Sequence, residues 1–489
     1  MFSSVRRRLP CVALALLLAA GVAGAASAGP VDPAAEPRRW LAGDHHVHSH
    51  YSATYPVDPA TPERRPEAVI GGDADPSIIE NAAAAARFGL SWMVSTDHGG
   101  PNHSQLNHDL AWPELQRARA ATPGVVLFYG LELDAPGSEH ATLIIPVHDG
   151  EREMLRRLES AYSVREPWPA DPSRDTRAVM LQALREMDDM DPRPLILANH
   201  PSRSAPDLGV WGEHDARSLR DWRDAAPRVA IGMEGAPGHQ AASLKPEGRR
   251  GIYRRAPTLG GFDQMTATVG GVWDALLADG RPWWITATSD SHRHAEAGGD
   301  DFWPGEYSKT WVLARQDPAD ILDGLRAGRV FAVTGDLISG LDLAVEAGGR
   351  TAGLGETLEM TAGARPRLTF AVTLPDAPNA AGQRPDLRRV DVILGEVRAG
   401  PLTEADRDIA RNPTARVIAR LTPAEARRDG DRLVFSLDLP PLTGPAYVRV
   451  RGTSGDELEP LPDPPGEDPW SDLWFYANPV FLRPSEAQP

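Results

Sequence analysis

His46 and His48 stand two residues apart in the segment Asp44-His45-His46-Val47-His48-Ser49. On an extended strand, side chains at i and i+2 share one face, so both imidazoles can reach a single cation. Similar residues recur at the ends of later apolar runs. Thr96-Asp97-His98-Gly99-Gly100 closes one, Glu132 lies near the end of a second, and His140 opens a third. His200 closes a fourth just before Pro201, and Ser289-Asp290-Ser291-His292 closes a fifth, with Asp290 and His292 again on one face. One His-x-His alone reads as a polar strand end in water. The set His46, His48, His98, His140, His200 and His292, together with Asp97, Glu132 and Asp290, reads as a multinuclear metal centre. Imidazole and carboxylate donors without thiolate suit Zn, Mn or Fe, and donor type does not choose among them.

Composition narrows the alternatives. The chain of 489 residues has one cysteine, Cys11, so disulfide scaffolds, thiolate zinc cages and cysteine nucleophiles are excluded. A formal charge of −17 opposes nucleic-acid binding and favours a small-molecule substrate. Lys245 and Lys309 are the only lysines. A metal barrel of the amidohydrolase kind also opens on His-x-His, but bridges its metals with a carboxylated lysine placed before two later histidines. Here Lys245 follows His200 and Lys309 follows Asp290, which excludes that arrangement.

The elements that must position these residues alternate over 38–335. Strands are expected at 90–95, 125–133, 141–146, 194–199, 229–234 and 282–288, after a first strand that ends at Asp44. Helices are expected at 77–88, capped by Asp75 with Pro76 in the first turn, and at 175–189 and 263–279. This pattern is α/β, a parallel barrel or doubly wound sheet, and barrels carry their active residues at the C-terminal strand ends. After Thr334 shorter alternating stretches at 367–374, 390–394, 433–439 and 446–451, with a last strand at 472–482, predict an antiparallel β-sandwich. Residues 1–28 read as a cleaved signal peptide: Arg6, Arg7 and Arg8, an apolar run from Val12, then Ala26-Ser27-Ala28. The expected organisation is therefore a signal peptide at 1–28, a metallohydrolase domain at 29–335 and a β domain at 336–489. The expected location is periplasmic or secreted, without a membrane anchor after cleavage.

The ordered segments DHHVHS, STDHGG, the Glu132–His140 pair, ANHP and SDSH resemble the polymerase-and-histidinol-phosphatase (PHP) superfamily over roughly 40–300. That resemblance implies a distorted (β/α)7 barrel holding two or three divalent metal ions. It also implies phosphoester hydrolysis by a metal-activated hydroxide. By the same resemblance His46, His48, Glu132 and Asp290 hold one metal. Glu132 bridges to a second held by His140 and His200, while His98 and His292 help hold a third. Asp97 is an orienting residue or an extra ligand. The family often has another Asp or His near Ala53 or Thr54, where this chain has none; His50 and Asp58 are the nearest substitutes. An exported branch resembling carbaryl hydrolase is the rival within the superfamily, with a carbamate, ester or amide as electrophile.

Asp97, Glu132, Asp290 and Arg293 are thus the catalytic candidates, and Arg203, Glu234 and Lys309 the substrate-binding candidates. The run 245–255 (KPEGRRGIYRR) is a basic island, either a lid facing phosphate or a solvated loop. A third reading makes the C-terminal region a surface- or polymer-binding module, with Trp470, Trp474, Phe475 and Tyr476 as its platform.

Overall fold

The computed structural model describes residues 36–238, 253, 255–294, 300–464 and 466–485. The expected signal segment, with Cys11, and most of the basic run 245–255 lie outside the described residues. The motif-bearing strands are β1 (Arg39–Asp44), β2 (Trp92–Ser95), β3 (Val126–Leu133), β4 (Ala141–Ile145), β5 (Leu195–Ala198), β6 (Ala230–Ala236) and β7 (Trp284–Ala287). They are neighbours in that order in one large mixed sheet, which β8 (Ser308–Ala314) and β9 (Val330–Thr334) extend beyond β1. All the residues of β2, β4, β5, β6 and β7 are buried, which is why each reads as an unbroken apolar run rather than an alternation.

The all-parallel expectation needs correction. β1, β2 and β3 are parallel, and so are β5, β6 and β7, but β4 is antiparallel to both β3 and β5. The connection 134–140 is too short for the dozen or so residues that a parallel crossover requires. The C-terminal ends of β1 and β7 meet through a Val47–Ser291 bridge, with Asp290 N–H donating to His46 O at 3.0 Å and His48 N–H to Ser291 O at 3.0 Å. These bonds bring the first and last motifs of the chain side by side.

Two helix boundaries also differ. The helix Ile78–Arg87 is capped by Ser77, not Asp75: Ser77 accepts from Glu80 N–H while the Glu80 carboxylate reaches back to Ser77 N–H. The single helix expected at 263–279 is two short ones, Gln264–Ala267 and Val272–Leu277, parted at Gly270, whose φ of 76° no helix accepts.

The C-terminal strands are β10 (Gly340–Ala347), β11 (Arg350–Gly353), β12 (Thr357–Thr361), β13 (Arg367–Thr373), β14 (Arg389–Glu396), β15 (Arg416–Leu421), β16 (Arg427–Asp429), β17 (Arg432–Asp438), β18 (Ala446–Thr453), β19 (Trp474–Ala477) and β20 (Val480–Ser485). β11, β10, β13, β17 and β16 form a second, antiparallel sheet, whose apolar face shares a core with β14 and β18. The last expected strand is broken at Asn478-Pro479 into β19, which pairs with β9, and β20, which pairs with β12 in parallel. The large sheet therefore runs straight through the boundary expected at 335.

Three further contacts tie the C-terminal region to the region that carries the motifs. The Asn478 side chain clasps β7, accepting from Ile285 N–H at 3.0 Å and donating to Ile285 O at 3.4 Å. Fully buried Asp274 accepts from Arg449 at 2.8 and 3.0 Å and from the Tyr447 hydroxyl at 2.9 Å. Phe262 packs on Tyr476, with ring centroids 4.3 Å apart. Trp474, Phe475 and Tyr476 are at most 1% exposed, so these three rings are core and present no platform to a polymer.

Candidate metal centre

The loops after the strands carry the motif residues to one point. His46 Nε2 lies 3.2 Å from Glu132 Oε1, 3.1 Å from Asp290 Oδ1 and 2.9 Å from His48 Nε2. His48 Nε2 lies 3.1 Å from Asp290 Oδ1 and 3.4 Å from Glu132 Oε2. On the other side of Glu132, Oε1 is 3.0 Å from His140 Nδ1 and 2.9 Å from His200 Nε2, and Oε2 is 2.9 Å from His98 Nδ1. A third group forms around His98 Nε2, which is 3.4 Å from His292 Nε2 and 3.5 Å from Asp73 Oδ2; Asp73 Oδ2 is also 3.6 Å from His292 Nε2.

These donors fit divalent cations. His46/His48/Asp290, His98/Glu132/His140 and His48/His98/His292 each place their ligand atoms within 4.8 Å of one another. His98 Nδ1, His140 Nδ1 and Glu132 Oε2 are buried in close approach without hydrogen-bond geometry. Buried polar atoms are nearly always hydrogen-bonded, so this concentration of unsatisfied polar atoms signals a ligand site. Neutral imidazoles and ionised carboxylates are the ligating forms. Burial, with His292 and His98 nearby, holds His48 well below the usual histidine range, and burial with Arg203 pushes His200 down to about 3. Burial raises Glu132, but His140, His46 and His98 outweigh it and hold the carboxyl well below its usual range. At His46 burial is outweighed by Asp290, Glu132 and Glu234, which favour positive charge there.

A second ring of residues fixes the imidazoles. Glu234 Oε1 lies 2.7 Å from His46 Nδ1 and accepts from Thr288 Oγ1 at 2.9 Å, while its Oε2 accepts from His200 N–H at 2.5 Å. Ser52 Oγ lies 2.8 Å from His48 Nδ1 and donates to Asp97 Oδ1 at 3.1 Å. Asp97 also accepts from Ser49 N–H at 2.6 Å and Ser49 Oγ at 2.9 Å. Each Nδ1 so held turns Nε2 toward the cluster. His200 and Asp290 have φ of 28° and 46°, a conformation costly for non-glycine residues that persists at sites held by their surroundings.

The placements revise several expected roles. Of the two roles expected of Asp97, its contacts match the orienting one: it accepts from Ser49 and Ser52 and so holds the turn that orients His48. Glu234 is fully buried behind His46, with both oxygens engaged, and does not face a substrate. The Arg293 side chain is half exposed and donates to Gly72 O at 3.1 Å with Asp75 3.4 Å away, so it braces the segment that carries Asp73. Lys309 Nζ lies 2.6 Å from Asp336 and is not part of the cavity wall. His50 pairs with Glu114 at 3.2 Å and Asp58 caps its own turn at Ala60, so neither substitutes in the third group. Asp73 takes that place, from a Gly- and Pro-rich loop with no period to read.

The cluster opens into a cavity of about 640 Å³ whose lining includes Asp73, His98, His140, Arg165 and Arg203. Arg165 is anchored on Asp134 at 2.6 Å and Arg203 on Glu139 at 3.3 Å, so two guanidiniums flank His140. Arg203 Nε is buried without a hydrogen-bond partner.

No family model matches the chain, and no curated protein matches it. Among solved structures, Endonuclease Q in complex with a 27-mer duplex bearing an abasic lesion is similar over 60% of this chain, at 12% identity and a TM-score of 0.29. The chain spans about half of that protein, 56% of its length. The cellulose-active LPMO CelS2 with copper is similar over 26% of this chain and 54% of its own, at 12% identity and a TM-score of 0.16. A chitin binding domain from Burkholderia pseudomallei is similar over 28% and 67%, at 12% identity and a TM-score of 0.15. At these TM-scores the likenesses carry no argument about function, which rests on the site itself.

Proposed function

We propose that the chain is a metal-dependent hydrolase of the PHP type that cleaves a phosphoester of a small molecule at a di- or trinuclear centre of Zn, Mn or Fe. The observation that carries this reading is the convergence of six imidazoles with Glu132 and Asp290 in one buried cluster, from which His98 and His140 reach the wall of an open cavity. Divalent cations bound there supply an acidified water and a charge sink for the leaving oxygen. His46, His48, Glu132 and Asp290 would hold one ion; Glu132, His140 and His200 a second; His98, His292 and Asp73 a third.

The chain's own residues do the rest. Glu132 faces two ligand groups at once and fixes their separation. Arg165 and Arg203 stand at the cavity wall beside His140, where they orient an anionic group and offset its charge. This favours a phosphoryl group over a neutral carbamate, ester or amide, the substrates of the rival carbaryl-hydrolase-like reading. Export through a cleaved segment at 1–28, to the periplasm or beyond, belongs to the same proposal. Among the described residues no helix is long and apolar enough to cross a membrane.

A panel of phosphomonoesters, phosphodiesters, aryl carbamates and aryl esters on the metal-loaded chain tests the reading. Turnover highest with a phosphoester is expected. Turnover of carbamates or esters alone transfers the assignment to the rival class, and no turnover of any substrate removes the hydrolase reading.

A further inference from the structure

The cavity is larger than its charged floor needs. About 640 Å³ lies within the range of pockets that enclose drug-sized ligands, far beyond one phosphoryl group. Past the charged floor, its wall is built by Tyr55 and Pro66 from one loop, Pro101 from a second and Val164, Pro167 and Trp168 from a third. Trp168 Nε1 donates to Glu63 O at 3.2 Å, which ties the third loop to the first. The Tyr55 ring lies flat against Gly100, directly after the His98-Gly99 step; a Cβ on Gly100 would stand 2.2 Å from a ring carbon. The glycine lets an aromatic ring stand beside a metal-ligand candidate. Both rings are only partly buried, so neither is core.

Aromatic faces and proline surfaces left open beside a charged floor match a ligand that is itself divided, anionic at one end and planar and apolar at the other. A sugar needs several polar partners along its rim. This wall supplies few side-chain ones: the Thr54 hydroxyl lines it, whereas the Tyr55 hydroxyl is buried.

We infer that the substrate is an ester whose alcohol part carries an aromatic ring, seated against Trp168 and Tyr55 while its anionic end meets the metal floor and Arg165 and Arg203. Trp168 is then a specificity-determining residue. This inference rests on the hydrolase reading for the position of the scissile bond but not for the binding of the ring.

Benzyl phosphate and ethyl phosphate, esters of two alcohols of similar acidity, test it on the metal-loaded full chain. The expected result is a kcat/KM for benzyl phosphate about tenfold or more above that for ethyl phosphate, the preference that burying one ring supplies. Trp168→Ala should collapse the ratio toward one, and Trp168→Phe should retain most of it. Equal kcat/KM for the two esters, or a Trp168→Ala variant that keeps the ratio, overturns the inference. A higher kcat/KM for glucose 6-phosphate than for benzyl phosphate overturns it in favour of a sugar. If neither ester turns over, the phosphomonoester reading fails by itself. The ring is then tested by thermal shift with benzylphosphonate against ethylphosphonate: a larger shift for benzyl, lost in Trp168→Ala, upholds the inference, and equal shifts overturn it.

Discussion

Oε1 of Glu234 lies 2.7 Å from Nδ1 of His46, across 188 residues of sequence, with both side chains fully buried. The contact fixes the ring so that Nε2 faces Glu132, Asp290 and His48, and it adds negative charge behind a cation ligand. Glu234→Gln keeps the shape and removes the charge. Orienting partners of metal ligands typically contribute about 10–100-fold in affinity. Metal-stripped Glu234→Gln should therefore bind divalent cation about 10–100-fold more weakly by calorimetric titration, with an unchanged circular dichroism spectrum. An unchanged affinity would show that Glu234 is only a packing residue.

Asp73 stands beside His98 and His292 on a loop held by Arg293, which donates to Gly72 O, and by backbone bonds to His50 O and Ser52 O. Asp73→Asn should lower the metal content of the dialysed protein by about one equivalent, since the group loses the carboxylate that faces both His98 Nε2 and His292 Nε2. Arg293→Ala should shift it in the same direction, less fully. Elemental analysis reads both, and full occupancy in Asp73→Asn would place the third group outside the metal centre.

Arg449 and Asp274 are fully buried and joined by two hydrogen bonds between the C-terminal region and the helix Val272–Leu277. Removing one partner of a buried pair leaves the other charge uncompensated, at a cost of about 3–5 kcal/mol. Arg449→Ala should lower the urea midpoint accordingly. A midpoint within experimental error of the parent chain would mean that the region contributes nothing through this pair.

His103 supplies a pH dependence away from the cluster. Burial lowers its pKa, but Glu159, bonded to Nδ1, overrides burial and raises it to about 9, while Nε2 lies 2.9 Å from Tyr51 O. A raised folded pKa means that the folded chain holds the proton more tightly than the unfolded chain, whose histidine titrates near 6.5. The stabilisation is complete below about pH 6.5 and is lost as pH rises through about 9. Urea midpoints at three pH values across that window should fall for the parent chain, and His103→Gln should flatten the decline. Parallel curves for the two proteins would exclude the pair as its source.

Much of the site was legible before the fold. His46 with His48 and Asp290 with His292 stand two apart just past the ends of β1 and β7, although Asp290, at φ 46°, is not extended and so shares no strand face with His292; Glu132 and His200 fall where buried apolar runs end. Other features left no such trace. Asp73 sits in a loop whose course depends on Arg293 and on bonds that Gly71 and Asp73 N–H donate to His50 O and Ser52 O rather than on any local period. Glu234 could be placed at a strand end, but which face its carboxylate meets depends on β1, far away in sequence. The reversal of β4 was readable in principle from the short connection 134–140, since a crossover cannot fit there. The aromatics at 474–476 would read the same in a core or on a platform; only the pairing of β19 with β9 decides between them.

If these histidines and carboxylates hold catalytic metal, metal and activity are lost together. Elemental analysis of the purified full chain, run beside phosphomonoester hydrolysis for the parent chain, His46→Ala and Asp290→Asn, tests this. The parent chain should carry about two or three equivalents of transition metal. Its turnover should disappear with chelation and return with metal, and both variants should be folded and inactive. A parent chain that carries no metal, with hydrolysis unchanged by chelator and by both substitutions, would contradict this.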